Sequence, residues 1–344
     1  MEKVTIYTLA QELGMSVSAV SRAFNPNAKL SAEKRRIILE AAARHGFSPN
    51  KMASRLSRQH IRVGIIFVQR IAGYDEQMLA GLRAAYDAYR SYKLLCDFRL
   101  LPQQTPPERI SELLDEFSAA GFDGVILKGV YDEQTAQKLR SLTDDRMKAA
   151  LVSNDLPDSG RLFASIPDPD ATAHIAAQLL SVFAPPGDRG VLVFSGSMRS
   201  VMHQRVLASF TRYAPQYGLK ILRCCDTQDI PERAAQQIAE ACADFPSIGG
   251  VYISSANSVP VCRYLKAHGL GARTAVVATD LFDELNSYLT QGVVNALIFH
   301  DPYAQGYSVL ERLYRALAED VQPPDVVTVL PKIVLESNLS LYRR

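Results

Sequence analysis

Tryptophan is absent from the 344 residues, and cysteine appears only five times. Cys96, Cys224, Cys225, Cys242 and Cys262 lack Cys-x-x-Cys spacing, which argues against a zinc site. Cys224 and Cys225 are neighbours on an expected strand and point opposite ways, so they read as core or surface thiols. The catalytic signatures are missing as well. There is no Gly-x-x-x-x-Gly-Lys-Ser/Thr loop, no Gly-x-Gly-x-x-Gly after the first strand, no His-Glu-x-x-His and no Gly-x-Ser-x-Gly. An enzyme would have to work without these, and neither metal nor cofactor is expected. "FSGSMRS" places Ser and Gly before a helix, an arrangement that can hold an anion and is read here as a ligand-binding turn. No signal peptide and no transmembrane run is visible. With unpaired thiols, this predicts a cytoplasmic protein that does not engage a membrane.

What is present begins with "TIYTLAQELGMSVSAVSRAF", residues 5–24. Ile6, Leu9, Ala10 and Leu13 share a helical face, Gly14 can make a left-handed turn, and Ser16 can cap a second helix starting at Val17. Helices this short are marginal alone. A third is signalled by Ser31 as cap, Glu33 in the first turn, the stripe Ile38, Ala41 and Ala42, and Gly46 as stop. The second helix buries Val20 and leaves Val17, Ser18, Ser21 and Arg22 outward, small residues followed by one long forked cation. That shape suits entry into a groove.

Charge agrees. Residues 1–60 carry ten Lys/Arg against four Glu, a net +6, and the remainder carries −4, which leaves the whole chain at +2. A basic head on a mildly acidic body is the footprint of nucleic-acid binding. Immediately after the third helix, "PNKMASRLSR" puts Met52, Ala53 and Leu56 on one face among Lys51, Arg55 and Arg58. As a plain linker this stripe would have no purpose; as a hinge helix it can order on DNA and wedge the minor groove.

With "GFSPN" between them, these segments resemble the headpiece of LacI/GalR-family transcription regulators, and the resemblance runs through the whole chain. It implies a dimeric DNA-binding regulator, a repressor in most members, reading a near-palindromic double-stranded operator under control of a small effector. Most members release DNA on binding a sugar inducer, while others require a corepressor, and the alternative expectation is a corepressor-dependent regulator with a non-sugar effector. By residue-wise carry-over, Val17, Ser18 and Arg22 match the major-groove readers, and Arg22 suits guanine O6/N7. Thr5, Tyr7, Ser16, Ser21 and Asn25 fit phosphate-positioning roles. Asn50, Ala53 and Leu56 fall in the hinge, Leu56 matching the intercalating leucine. No heptads follow "LESNLSLYRR", so a homodimer is expected rather than a tetramer.

From Ile61 onward, branched apolar runs alternate with helical patterns, from "RVGIIFV" to "VNALIFHD". This predicts a doubly wound parallel α/β body, and its length calls for two lobes. The expected division is a helix-turn-helix domain at 1–47, a hinge at 48–60 and an effector and dimerisation domain at 61–344. Within the last, lobe 1 covers about 61–166 and 300–324, and lobe 2 about 167–299 and 325–344. The resemblance puts crossovers near Ser165 to Asp168, Phe299 to Pro302 and Gln322 to Val326.

Ligands of such sheets sit beyond the carboxyl ends of the strands. The residues there are unusually polar: Gln69, Tyr74, Lys128, Asp155, Arg205, Asn257, Asp280 and His300, with Phe67 and Tyr74 as aromatic platforms. Donors and acceptors from both lobes suit a polyhydroxylated ligand. "VVATDL" resembles the stretch whose aspartate binds sugar hydroxyls, which points to Asp280, although Asp280 could instead cap the next helix. "SSANS" places Asn257 at a comparable contact, and "SNDLPDSGR" with "PDPDATAH" looks like the ribose-type subgroup. The chain departs from the family in "HQRVLASF": Val206 holds the place of the usual Arg, with Arg205 one residue early, and His300 stands where the subgroup often has Gln. Arg205 could serve a structural ion pair, and His300 a structural role.

Overall fold

The computed structural model describes residues 6–24, 30–45, 60–129, 132–143, 147–255 and 257–342. Thr5, Asn25, Asn50, Ala53 and Leu56 lie outside them, as does the side chain of Ser21. The chain divides into two compact units, residues 1–60 and 61–344.

The first unit holds α1 (Ile6–Glu12), α2 (Val17–Ala23) and α3 (Ala32–Arg44). Gly14, at φ +60°, turns the chain between α1 and α2, a conformation glycine adopts without a Cβ penalty. Ser16 Oγ accepts from Ala19 N at 3.2 Å, and Ser31 Oγ accepts from Lys34 N at 3.4 Å, satisfying first-turn donors. Leu9, Ala10, Val20, Ala23, Ile38, Ala41 and Ala42 form the small core. Three short helices are thereby stabilised by one another.

The second unit is built on two six-stranded sheets. The first has the order β2-β1-β3-β4-β5-β11 and is parallel throughout: β1 (Ile61–Val68), β2 (Leu94–Leu101), β3 (Gly124–Lys128), β4 (Lys148–Val152), β5 (Phe163–Pro167) and β11 (Val326–Val329). The second runs β7-β6-β8-β9-β10-β12 through β6 (Gly190–Ser195), β7 (Lys220–Asp226), β8 (Gly250–Ile253), β9 (Ala275–Thr279), β10 (Ala296–Phe299) and β12 (Lys332–Val334), with only β12 antiparallel. The central strands are buried on both faces, as their unbroken apolar runs require.

Helices α4 (Ala72–Tyr89), α5 (Pro107–Ala119) and α6 (Glu133–Thr143) serve the first sheet. The second has α7 (Pro169–Phe183), α8 (Val201–Tyr213), α9 (Pro231–Asp244), α10 (Ser258–Ala267) and α11 (Asp283–Thr290). A further helix, α12 (Pro302–Glu319), leaves β10 of the second sheet and packs beside α4 on the first. The chain thus crosses between lobes after β5, after β10 and after β11. The last crossing differs from the expectation near Gln322 to Val326: β11 pairs with β5 in register Val326 to Ala164, so the segment through Val329 belongs to lobe 1. Only from Lys332 does the chain join lobe 2.

Candidate functional site

Both sheets reverse their winding at a central strand, β1 in one and β6 in the other, and the loops beyond those carboxyl ends face a common cleft. A cavity of about 120 Å3 lies there, a size that restricts the occupant to a small molecule. Lobe 1 contributes Arg70, Tyr74, Lys128, Ser153 and Asn154; lobe 2 contributes Thr172, Ser200, His203, Asp229, Asp280 and His300.

Three of these hold left-handed backbone without being glycine: Ser153 at φ 68°, Asp229 at 58° and Asp280 at 70°. Such conformations cost of order 1–3 kcal/mol each and concentrate where a side chain must be aimed. Asp280 Oδ1 lies 3.2 Å from His300 Nδ1, and His300 Nε2 lies 3.0 Å from Thr172 Oγ1. Helix α11 begins without a side-chain cap, its N-cap position being Phe282, so the Asp280 carboxylate is directed to the cleft and to His300 rather than to the helix. The Tyr74 hydroxyl sits 3.0 Å from Ser153 Oγ. Burial, reinforced by the Asp280 charge, raises its pKa well above the ordinary tyrosine range, so it remains a neutral donor.

Lys128 is 5% exposed, and its Nζ donates to Val68 O at 2.9 Å and to Asp75 Oδ1 at 2.5 Å. Burial lowers its pKa and Asp75 opposes that shift. Side-chain bonds across the cleft between the lobes include Arg70 Nη2 to Asp229 Oδ2 at 2.7 Å, Gln77 Nε2 to Leu281 O at 2.6 Å, and Ser200 Oγ to Asn154 Oδ1 at 3.0 Å. Polar capacity remains. The Tyr74 and Ser153 hydroxyls and the Asp280 carboxylate, all on the cleft wall, each have bonding capacity beyond the bonds just named. A ligand with several hydroxyls can use it.

The structure brings Tyr74, Lys128, Asp280 and His300 together on the cleft and places the other nominated residues elsewhere. Phe67 is wholly buried in the lobe 1 core, under the Lys128 ammonium at 4.9 Å. Gln69 is exposed. Asp155 is held by the Arg161 guanidinium, which also binds Asp325, so its carboxylate is committed to a structural pair. Asn257 donates to Thr227 Oγ1 at 2.9 Å and is buried in lobe 2. Arg205 is exposed on α8, while Val206, one residue on, lines the cleft with Met202 and His203. Sequence reasoning missed Asp75, Thr172, His203 and Asp229 as named participants. The phase of α8 was the available signal for His203: Val206 and Phe210 mark its buried face, and 202 and 203 lie on that face four and three residues earlier.

Among the described residues no three His, Cys, Asp or Glu side chains gather to hold a metal, and no helix is long and apolar enough to cross a membrane. Burial pushes the Cys96 and Cys262 thiols up to about 12 and Cys225 up to about 11, so these are not activated nucleophiles.

Catabolite control protein A of Staphylococcus aureus (strain Mu50 / ATCC 700699) is 23% identical to this chain over 234 residues, covering 67% of the chain and 68% of that protein. Among solved structures, GanP, a glucose-galactose binding protein from Geobacillus stearothermophilus, aligns with a TM-score of 0.72 at 18% identity, covering 82% of this chain and 99% of that one. An ABC transporter solute binding protein from Burkholderia graminis in complex with D-arabinose aligns with a TM-score of 0.74 at 17% identity, covering 83% and 99%. These establish the two-lobed fold. The family model for the periplasmic binding protein domain matches residues 63–320, three quarters of the sequence, and the chain belongs to that family.

Proposed function

We propose that the chain is a dimeric transcription regulator of the LacI/GalR type, binding a near-palindromic DNA operator through residues 1–60 and a small sugar-like effector between the lobes of its body. The observation that carries the reading is the union in one sequence of a +6 three-helix unit with a two-lobed body whose cleft is lined by hydroxyl, carboxylate and imidazole groups from both lobes. The relationship to catabolite control protein A, a LacI-family protein, supports it. So does α2, where Val20 is buried while Ser18 and Arg22 are exposed. Arg22 Nη2 donates to Ser18 Oγ at 3.0 Å, which holds the guanidinium along the outer face of the helix. Tyr7 at 71% exposure and Ser16 are open for phosphate contacts. Cytoplasmic location follows from a DNA partner.

The reading is tested by selection from random double-stranded DNA with the full chain, together with a thermal-shift panel of neutral sugars, polyols and nucleosides. A two-fold symmetric site should emerge, and Arg22→Ala should relax preference at one base pair per half-site by about 1–3 kcal/mol. A ligand at one hundred times its dissociation constant adds about 2.7 kcal/mol. Selection that enriches no symmetric sequence rejects the operator reading, and a panel without a single shift rejects the sugar-like effector.

A further inference from the structure

We propose that Arg70 and Asp229 set the specificity of the cleft by making it reject ligands that carry a phosphate or carboxylate group. The inference rests on the reading of the cleft as an effector site and names the charge class that site accepts.

Among the described residues, both Lys/Arg cations on the cleft wall are already matched. Lys128 is closed against Asp75, which is 2% exposed and whose second oxygen accepts from Arg70 N and Ile71 N. Arg70 is matched by Asp229 from the opposite lobe, with side chains 16% and 8% exposed. Several features aim Asp229. Gln228 and Asp229 hold consecutive left-handed conformations at φ 54° and 58°. Ser197 N donates to Asp229 Oδ2 at 3.2 Å. A Cβ at Gly196 would collide with Asp229 Oδ1, so only glycine leaves the carboxylate its space. The anion held by the Ser/Gly turn before α8 is therefore the chain's own carboxylate.

With the two pairs neutralised, neither the Lys128 nor the Arg70 cation is free, and the remaining carboxylate of the wall, Asp280, adjoins His300. An entering anion would find neither of these cations free to receive it. To reach Arg70 it would have to displace Asp229, stranding a buried carboxylate and breaking a bond between the lobes. A neutral ligand leaves the pair intact and uses the hydroxyls and the Asp280 carboxylate of the cleft wall.

Inorganic phosphate is the probe, titrated calorimetrically into the full chain at constant ionic strength. Wild type should show no saturable binding. Asp229→Asn, which removes the charge with a residue that tolerates a left-handed backbone, should gain phosphate affinity at least tenfold, and adding Arg70→Gln should abolish the gain. Asp229→Gly keeps the same backbone and serves as a second variant. Wild-type phosphate binding that Arg70→Gln removes overturns the proposal without any Asp229 variant, as does a folded Asp229→Asn protein that gains nothing. A gain in Asp229→Asn alongside a silent sugar panel would uphold the charge selection while removing the sugar reading.

Discussion

His203 on α8 packs against the Gly196 turn at the cleft wall, and burial drives its pKa below the ordinary histidine value. The folded chain therefore keeps this ring neutral while the unfolded chain takes up a proton near pH 6.5. Stability from this group is complete above that pH and is lost as pH falls through about 6.5 toward the lower folded value. Denaturant unfolding of the full chain between pH 7.5 and 5.5 should show that loss, and His203→Gln should flatten it; an unchanged slope would show that the ring is not the source. The same residue shows what was legible in the sequence at this scale. The strand-end rule nominated Tyr74, Lys128, Asp280 and His300, all of which line the cleft. It cannot tell which neighbour on a loop turns inward. Phe67 and Asn257 went into the cores, Gln69 and Arg205 into solvent, and Asp155 to Arg161, because the outcomes are decided by local phase and, for Asn257 and Asp155, by the partners Thr227 and Arg161.

Among the elements, α12 is a helix whose sequence disguises its start. Pro302 at its start and Gly306 one turn on look like breakers. Proline at the first helical position removes a hydrogen bond that would not form anyway, so it starts the helix well. Gly306 has a packing reason: a Cβ there would collide with the Met78 carbonyl on α4, and a Cβ at Gly81 of α4 would collide with the Tyr303 carbonyl on α12. The two backbones touch through reciprocal glycines. Gly81→Ala or Gly306→Ala should raise helix propensity yet still destabilise the body by about 1–3 kcal/mol in urea unfolding, since overpacking outweighs the gain of about 1 kcal/mol. A stabilised variant would mean that the helices separate at little cost. Strands β5, β11 and β12 escaped for another reason. β5 ends on Pro167 and has no branched apolar run, and β11 and β12 are partly exposed edge strands, so their pairing partners define them, which is also why the third crossover was placed too early.

At the scale of the whole molecule, the alternation of runs and helices made the two-lobed body legible, and the charge asymmetry marked the first sixty residues as a separate entity. The proposed regulator joins these by linkage. A ligand that binds one lobe arrangement better than another shifts operator affinity by some factor, and the operator must shift ligand affinity by the same factor. The two factors are measurable independently, by operator titration with and without saturating ligand and by ligand calorimetry with and without operator. They should agree, typically between about 5- and 150-fold. Salt separates the two binding events: operator affinity should fall steeply as salt rises, because the +6 head releases counterions, whereas affinity for a neutral ligand should hardly move. Asp280→Ala removes a carboxylate from the cleft and none from the head. It should therefore abolish the ligand effect on operator binding while leaving operator affinity and its salt slope as in wild type. If ligand still shifts operator affinity in that variant, Asp280 does not hold the effector. If the two coupling factors disagree at equilibrium, ligand and DNA are not reading the same pair of conformations.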